Sequence, residues 1–214
     1  MKVLVVGANG QIGRHLVQLL KDSGKHEARA MVRKEEQQEY FRSIGVETVL
    51  ASLEGSVDDI AQAVKGCDAI VFTAGSGGHT GLDKTLLIDL DGAAKTVEAA
   101  EQAGIDRFIM VSAIQAHRRE NWSEQIKPYF AAKHYADRAL LQSVLNYTIV
   151  RPGGLINEPG TGKVTAAENL ERGSIPREDV ARVILHALDE ERTFKRSFDL
   201  VGGGTPIAEA LKAL

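Results

Sequence analysis

Two short patterns in this chain hold residues whose types and spacing can do chemistry. The first is Tyr129 and Lys133, four residues apart in a stretch with helical patterning. On a helix, side chains four apart lie on one face. A free phenol has a pKa near ~10 and is a poor base at neutral pH. A neighbouring ammonium favours the phenolate and lowers that value. Such a pair can exchange a proton with a substrate oxygen while a hydride moves to or from a nicotinamide. The plainer alternative is an aromatic–cation contact on a solvated helix. With four tyrosines in 214 residues, the spacing alone is weakly specific.

The second pattern opens the chain. The apolar run Val3-Leu4-Val5-Val6 leads into Gly7, Gly10 and Gly13, and an apolar helical face follows at Ile12, Leu16, Leu19 and Leu20. A buried strand, a tight glycine turn and a helix N-terminus are what a dinucleotide-binding unit needs. The glycines let the backbone turn sharply, approach a pyrophosphate and pack helix on strand. The helix start at Gln11, Ile12 and Gly13 offers N–H groups and partial positive charge to phosphates. Asn9 can add a polar contact. An ordinary strand-to-helix turn is the alternative reading. The end of the second predicted strand carries Arg33 and Lys34 where an acidic residue would hold the ribose 2′-hydroxyl of NAD. Two cations suit a 2′-phosphate, which points to NADP(H), with NAD(H) still possible. A basic surface turn partnered by Glu35 and Glu36 would look the same.

These residues need elements to position them. Strand patterns fall at 2–6, 28–32, 46–51, 69–73, 108–112, 147–150 and 197–201, with helical patterns between them at 13–21, 34–43, 57–64, 85–103, 128–144 and 177–188. A last short helix is expected with Thr205 as its cap and Pro206 in its first turn. Alternating β and α with continuous apolar strands predicts an α/β, Rossmann-like doubly wound sheet: mostly parallel, about seven strands, one domain over 1–214. Right-handed crossovers put the ligand crevice at the strand C-terminal ends. The long segments 74–84, 113–127 and 152–176 follow strands and gather at that rim, as the substrate side.

Beyond the glycines, further residues resemble the short-chain dehydrogenase/reductase superfamily, in its atypical or extended group. The glycine spacing is G-x-x-G-x-x-G. Thr73-Ala74-Gly75 follows the fourth strand, Ser112 ends the fifth, Tyr129-Phe130-Ala131-Ala132-Lys133 opens a helix, and Arg151-Pro152-Gly153-Gly154 follows the sixth strand. The chain looks like the small NAD(P)H-binding, NmrA-like, flavin/biliverdin-reductase-like or epimerase/dehydratase members. The resemblance implies Tyr129 as acid/base, Lys133 lowering its pKa and holding the ribose, and Ser112 orienting the substrate. Thr73, Ala74, Gly75, Pro152 and Gly153 would line the cofactor. Extended members often place the working hydroxyl two residues further on, and here that residue is Ile114. Many relatives carry an acidic residue after the third strand; here Ser52 and Leu53 stand there, so a weaker or backbone contact is implied.

Composition narrows the rest. The net charge of −3 and the lack of a basic run point away from nucleic acid. No apolar stretch approaches a membrane span, and the short N-terminal apolar run is a strand rather than a secretory signal. Cys67, the single cysteine, is expected in the core and fits a reducing cytoplasm. The six histidines show no metal-ligand spacing, so no metal is expected. His79 and His117 lie on rim segments where they can touch substrate; Trp122 is a candidate lid or partner contact. Gly160-Thr161-Gly162-Lys163 resembles a phosphate loop faintly but departs from it at Asn157 and Val164. The reading is an NADP(H)-dependent oxidoreductase acting on a small carbonyl or hydroxyl substrate. Its rivals are a sugar epimerase or dehydratase, and a cofactor-binding sensor without catalysis. The epimerase is disfavoured by the short stretch after Val150; the sensor has no need of a Tyr–Lys pair. Oligomeric state is not legible.

Overall fold

The computed structural model describes residues 1–78 and 80–214. Its strands are β1 (Lys2–Val6), β2 (Glu27–Val32), β3 (Glu47–Leu50), β4 (Ala69–Phe72), β5 (Arg107–Val111), β6 (Asn146–Pro152), β7 (Gly154–Ile156), β8 (Lys163–Ala167), β9 (Ser174–Pro176), β10 (Arg196–Gly202) and β11 (Thr205–Pro206). The main sheet runs β11-β8-β10-β6-β5-β4-β1-β2-β3. From β3 to β10 every pairing is parallel, while β8 pairs antiparallel with β10 and β11. The chain order reverses between β1 and β4, the switch point where Rossmann-like folds open a crevice.

The nine-stranded sheet is two strands larger than the seven expected. Both extra strands sit at one edge. β8 lies inside a segment read as loop; it is short, half exposed and without strong alternation. Thr205 pairs its backbone with Val164 rather than capping a helix, and the last helix begins after Pro206. A separate parallel pair, β7 with β9, also crosses the predicted loop 152–176.

Helices cover both faces: α1 (Gln11–Asp22), α2 (Glu35–Ser43), α7 (Arg177–Ala187) and α8 (Ile207–Lys212) on one, α3 (Val57–Val64), α5 (Ala93–Gln102) and α6 (Lys127–Gln142) on the other. The period of two in β1 decides which residue goes where. Val3 and Val5 join Leu16, Val17 and Leu20 of α1 and Val180 and Ile184 of α7 in one core. Leu4 and Val6 join Ile60, Val97 and Leu140 in the other. Cys67 is buried in this second core, where desolvation pushes its thiol pKa up. α3 starts from a capping box in which Ser56 and Asp59 satisfy each other's backbone N–H groups.

The predicted long helix at 85–103 is not regular. A short turn, α4 (Leu82–Lys84), runs into a π-helical stretch, Thr85–Gly92, before α5. Within that stretch the adjacent residues Ile88 and Asp89 are both buried.

Gly13 packs α1 against the start of the chain. A Cβ there would lie 2.3 Å from the Gly7 carbonyl oxygen and 2.8 Å from Ala8 Cα. Alanine normally gains up to ~1 kcal/mol over glycine inside a helix. Here the opposing atoms are backbone and cannot swing aside, so overpacking wins. Gly13→Ala is expected to destabilise the fold by about 1–3 kcal/mol, read as a lowered urea midpoint with unchanged slope.

Candidate functional site

The glycine turn builds a cradle. Gly7 adopts φ +85°, a conformation in which other residues are strained. Its missing side chain matters as well, since a Cβ would lie 2.6 Å from the Ala74 nitrogen. The amide of Gly10 donates to the Gly7 carbonyl at 2.9 Å. α1 then starts with no side-chain cap and no acidic residue in its first turn. Its first-turn amides therefore face outward with no counter-group of the helix's own, which suits an anion. Arg14 donates to Asn9 Oδ1 at 2.7 Å and stacks over Tyr40. Thr73 Oγ1 donates to the carbonyls of Val6 and Gly7, tying β4 to the turn.

A groove of about 540 Å³ runs from this cradle across the ends of β1, β2, β3 and β4. Gly7, Asn9, Gly10 and Gln11 form one side, and Arg33 stands at the end of β2. Ser52 and Leu53 line the segment after β3, and Thr73, Ala74 and Gly75 the segment after β4. Most of the expected cofactor-contacting set therefore meets in one place. The remainder does not line the groove. Ile12 and Gly13 lie buried beneath the turn. Lys34 is exposed at the N-cap of α2, so Arg33 is the cation of the two that faces the groove. Pro152 and Gly153 are buried at the far side, where Pro152 accepts from the Ile114 amide and Gly153 sits against the Gly173 carbonyl.

Other lining residues carry no motif and escaped sequence reading. Gln37 accepts from the Arg33 amide at 3.1 Å and fixes that corner. Lys84 and Glu54 form a 2.6 Å ion pair joining α4 to the segment after β3. Ser76 and Ile88 close the end nearest α6.

That end meets the Tyr–Lys pair. Tyr129 is half-buried near the start of α6, with the Lys133 ammonium 5.7 Å from its ring centroid. Lys133 is 5% exposed and lies 3.2 Å from Asp89 Oδ1; Asp89 is 1% exposed. The other oxygen, Oδ2, accepts from the Ser76 amide at 2.9 Å. Asp89 thus connects the groove wall to the lysine. One turn further along α6, Asp137 accepts from Arg151 Nε at 2.8 Å in a second buried ion pair.

The electrostatics depart from expectation. Burial pushes the Tyr129 phenol up, against the pull of Lys133, and the carboxylates of Asp89 and Asp137 push it further. The expected lowering by Lys133 does not win, because burial of the phenol outweighs it. For Lys133, burial works against the charged form, but Tyr129, Asp89 and Asp137 together outweigh it and raise the pKa.

Ser112 ends β5 with its amide donating to Val150 O at 2.8 Å. Its hydroxyl is buried without a hydrogen-bond partner among the described residues. Ile114 is buried, so nothing at that position competes for the role. The next residue, Gln115, takes φ +59° and donates from its side chain to Leu170 O. His117 faces Asn169 at 2.9 Å, joining two rim segments. Trp122 is not a free lid: it stacks on Phe130 and donates to Ala116 O, within a third small cluster beneath the rim. His79 lies outside the described residues. The glycine-rich segment at 160–162 does not present its amides to solvent. Gly160 donates to Glu178, and Thr161 and Gly162 donate to Asp179.

Among the described residues no helix is long and apolar enough to cross a membrane. A family profile described as NAD(P)H-binding matches residues 7–191. The chain is 65% identical, over the full length of both, to a Bacillus subtilis protein named an uncharacterized sugar epimerase. A solved structure from Bacillus halodurans, named for an NAD-dependent epimerase/dehydratase, superposes with a TM-score of 0.94 at 47% identity, covering 100% of each chain. The oxidoreductase YlbE of Lactococcus lactis superposes with a TM-score of 0.89 at 31% identity, covering 100% of this chain and 96% of its own. With the glycine cradle and the groove at the switch point, these likenesses fix the assignment: the chain belongs to the NAD(P)H-binding family, whose relatives are named as oxidoreductases and epimerases.

Proposed function

We propose that this protein is an NADPH-dependent reductase of a small carbonyl compound. The observation that carries the reading is the continuous link from groove to proton donor. Ser76 lines the groove, its amide holds Asp89, and Asp89 holds Lys133 beside Tyr129. The cradle at Gly7 and the uncapped start of α1 fit a pyrophosphate, and Arg33 fits a 2′-phosphate. When bound, a reduced nicotinamide supplies the hydride. Tyr129 gives its proton to the carbonyl oxygen, Ser112 directs its unpartnered hydroxyl to the same oxygen, and Lys133, held by Asp89, stands beside the Tyr129 ring. Ser112 carries the single buried hydroxyl with no partner among the described residues, which supports its role, since an unsatisfied buried polar group costs free energy until something meets it.

The names of two relatives favour a second reading, an epimerase that oxidises and re-reduces a sugar. The two differ in cofactor balance. A reductase consumes NADPH one-for-one with product; an epimerase turns substrate over with no net NADPH loss. Screening small aldehydes, ketones and sugars while following absorbance of the reduced nicotinamide separates them.

Tyr129→Phe is expected to lower the turnover rate by about 10²–10⁴-fold, the usual contribution of a positioned acid or base, while NADPH affinity measured by fluorescence titration stays within about twofold. Arg33→Ala is expected to weaken NADPH binding by about 10- to 100-fold, the worth of a charge-assisted hydrogen bond, and to leave NADH binding unchanged. Equal losses for both cofactors would remove Arg33 from the 2′-phosphate site.

A further inference from the structure

The buried group around Lys133 has a charge balance that bears on the protonation of Tyr129. Four ionisable side chains face one another across three elements. Lys133 and Asp137 come from α6, Asp89 from the π-helical stretch, and Arg151 from β6. All four are nearly excluded from solvent. Lys133 is matched by Asp89 and Arg151 by Asp137, so the charges of these four side chains balance without Tyr129; Asp199, buried on β10 beside Arg151, adds no cation, and burial pushes its carboxyl pKa up. A phenolate at the half-buried Tyr129 would add an unmatched negative charge beside this group, where water screens it only in part. The carboxylate that consumes the lysine charge is held rigidly. Its second oxygen takes a backbone N–H from Ser76, and it projects from the π-helical stretch, where it and Ile88 are both buried.

Resting on the reading of Tyr129 and Lys133 as the proton-exchanging pair, we infer that Asp89 is a positioning residue that engages the Lys133 ammonium and so keeps Tyr129 a protonated phenol. The substrate class that follows is a carbonyl whose oxygen must receive a proton, rather than an alcohol that must lose one. In that step the O–H bond of Tyr129 breaks, the carbonyl oxygen takes the proton, and water returns a proton to the phenolate afterwards. The buried elevation of the Tyr129 pKa agrees with this. An oxidation-first reaction would start from the phenolate, the form this arrangement disfavours.

Tyrosine ionisation followed by ultraviolet difference in the cofactor-free protein tests the inference without any substrate. Wild type is compared with Tyr129→Phe, and Asp89→Asn with the double variant Asp89→Asn/Tyr129→Phe. The difference attributable to Tyr129 is expected to show no ionisation below about pH 10 in wild type. Asp89→Asn is expected to bring that step down by about one pH unit or more, because the freed ammonium then favours the phenolate. Asp89→Glu, which keeps the charge, is expected to leave the step where wild type has it. A wild-type Tyr129 step well below pH 10 overturns the inference, and it does so even if Asp89→Asn does not fold. An unmoved step in folded Asp89→Asn overturns it equally. Absence of turnover on every carbonyl, by contrast, would overturn the reductase reading and leave the titration result standing.

Discussion

The upper half of this molecule is organised around one lysine that has been taken out of water. A buried ammonium survives only if a carboxylate and hydrogen-bonding groups replace its hydration. Lys133 finds Asp89, and that single requirement reaches into three elements. It explains why the Ser76 amide points at a side chain instead of extending a strand. It also explains why α6 brings a second carboxylate, Asp137, only together with its own cation, Arg151. Both cations of this layer are paired with a carboxylate, and a stray one would be costly.

The sheet beneath supplies the rigidity that such a layer needs. Parallel strands with both faces covered leave little freedom in β1, β4, β5 and β6, so the residues at their C-terminal ends are held at fixed spacing. The close approaches around Gly7, Ala74 and Gly13 belong to the same constraint. A groove for an extended ligand forms where backbone, rather than side chain, lies on both sides of the turn.

How much of this could be read from residues alone follows from the range of each interaction. The glycine turn, the strand–helix alternation and the Tyr129–Lys133 spacing are local, and they locate the fold, the groove and the candidate pair. The edge strands β8 and β11 were not legible, because their pairing partner is remote in sequence and their burial is slight. Asp89 was not legible either. Nothing in its local sequence marks it, and its meaning comes from Lys133, forty-four positions away. The direction of the Tyr129 shift has the same origin: adjacency of an ammonium is visible in sequence, but the burial of the phenol that outweighs it, and the carboxylates that add to it, are not.

Two glycine-bearing turns in this chain aim several backbone amides at one point, and the contrast between them says which is built for a ligand. At 160–162 the amides are taken by Glu178 and Asp179 from the first turn of α7, so that concavity is closed by the protein's own anions. At Gly7–Gly13 the following helix brings no acid into its first turn, and its cap makes no side-chain bond. The physics of the two turns is the same: oriented N–H groups attract negative charge. One turn is satisfied internally and locks α7 to the sheet edge. The other leaves its attraction open, at the switch point of the sheet and beside a groove whose wall at Ser76 is tied through Asp89 to Lys133.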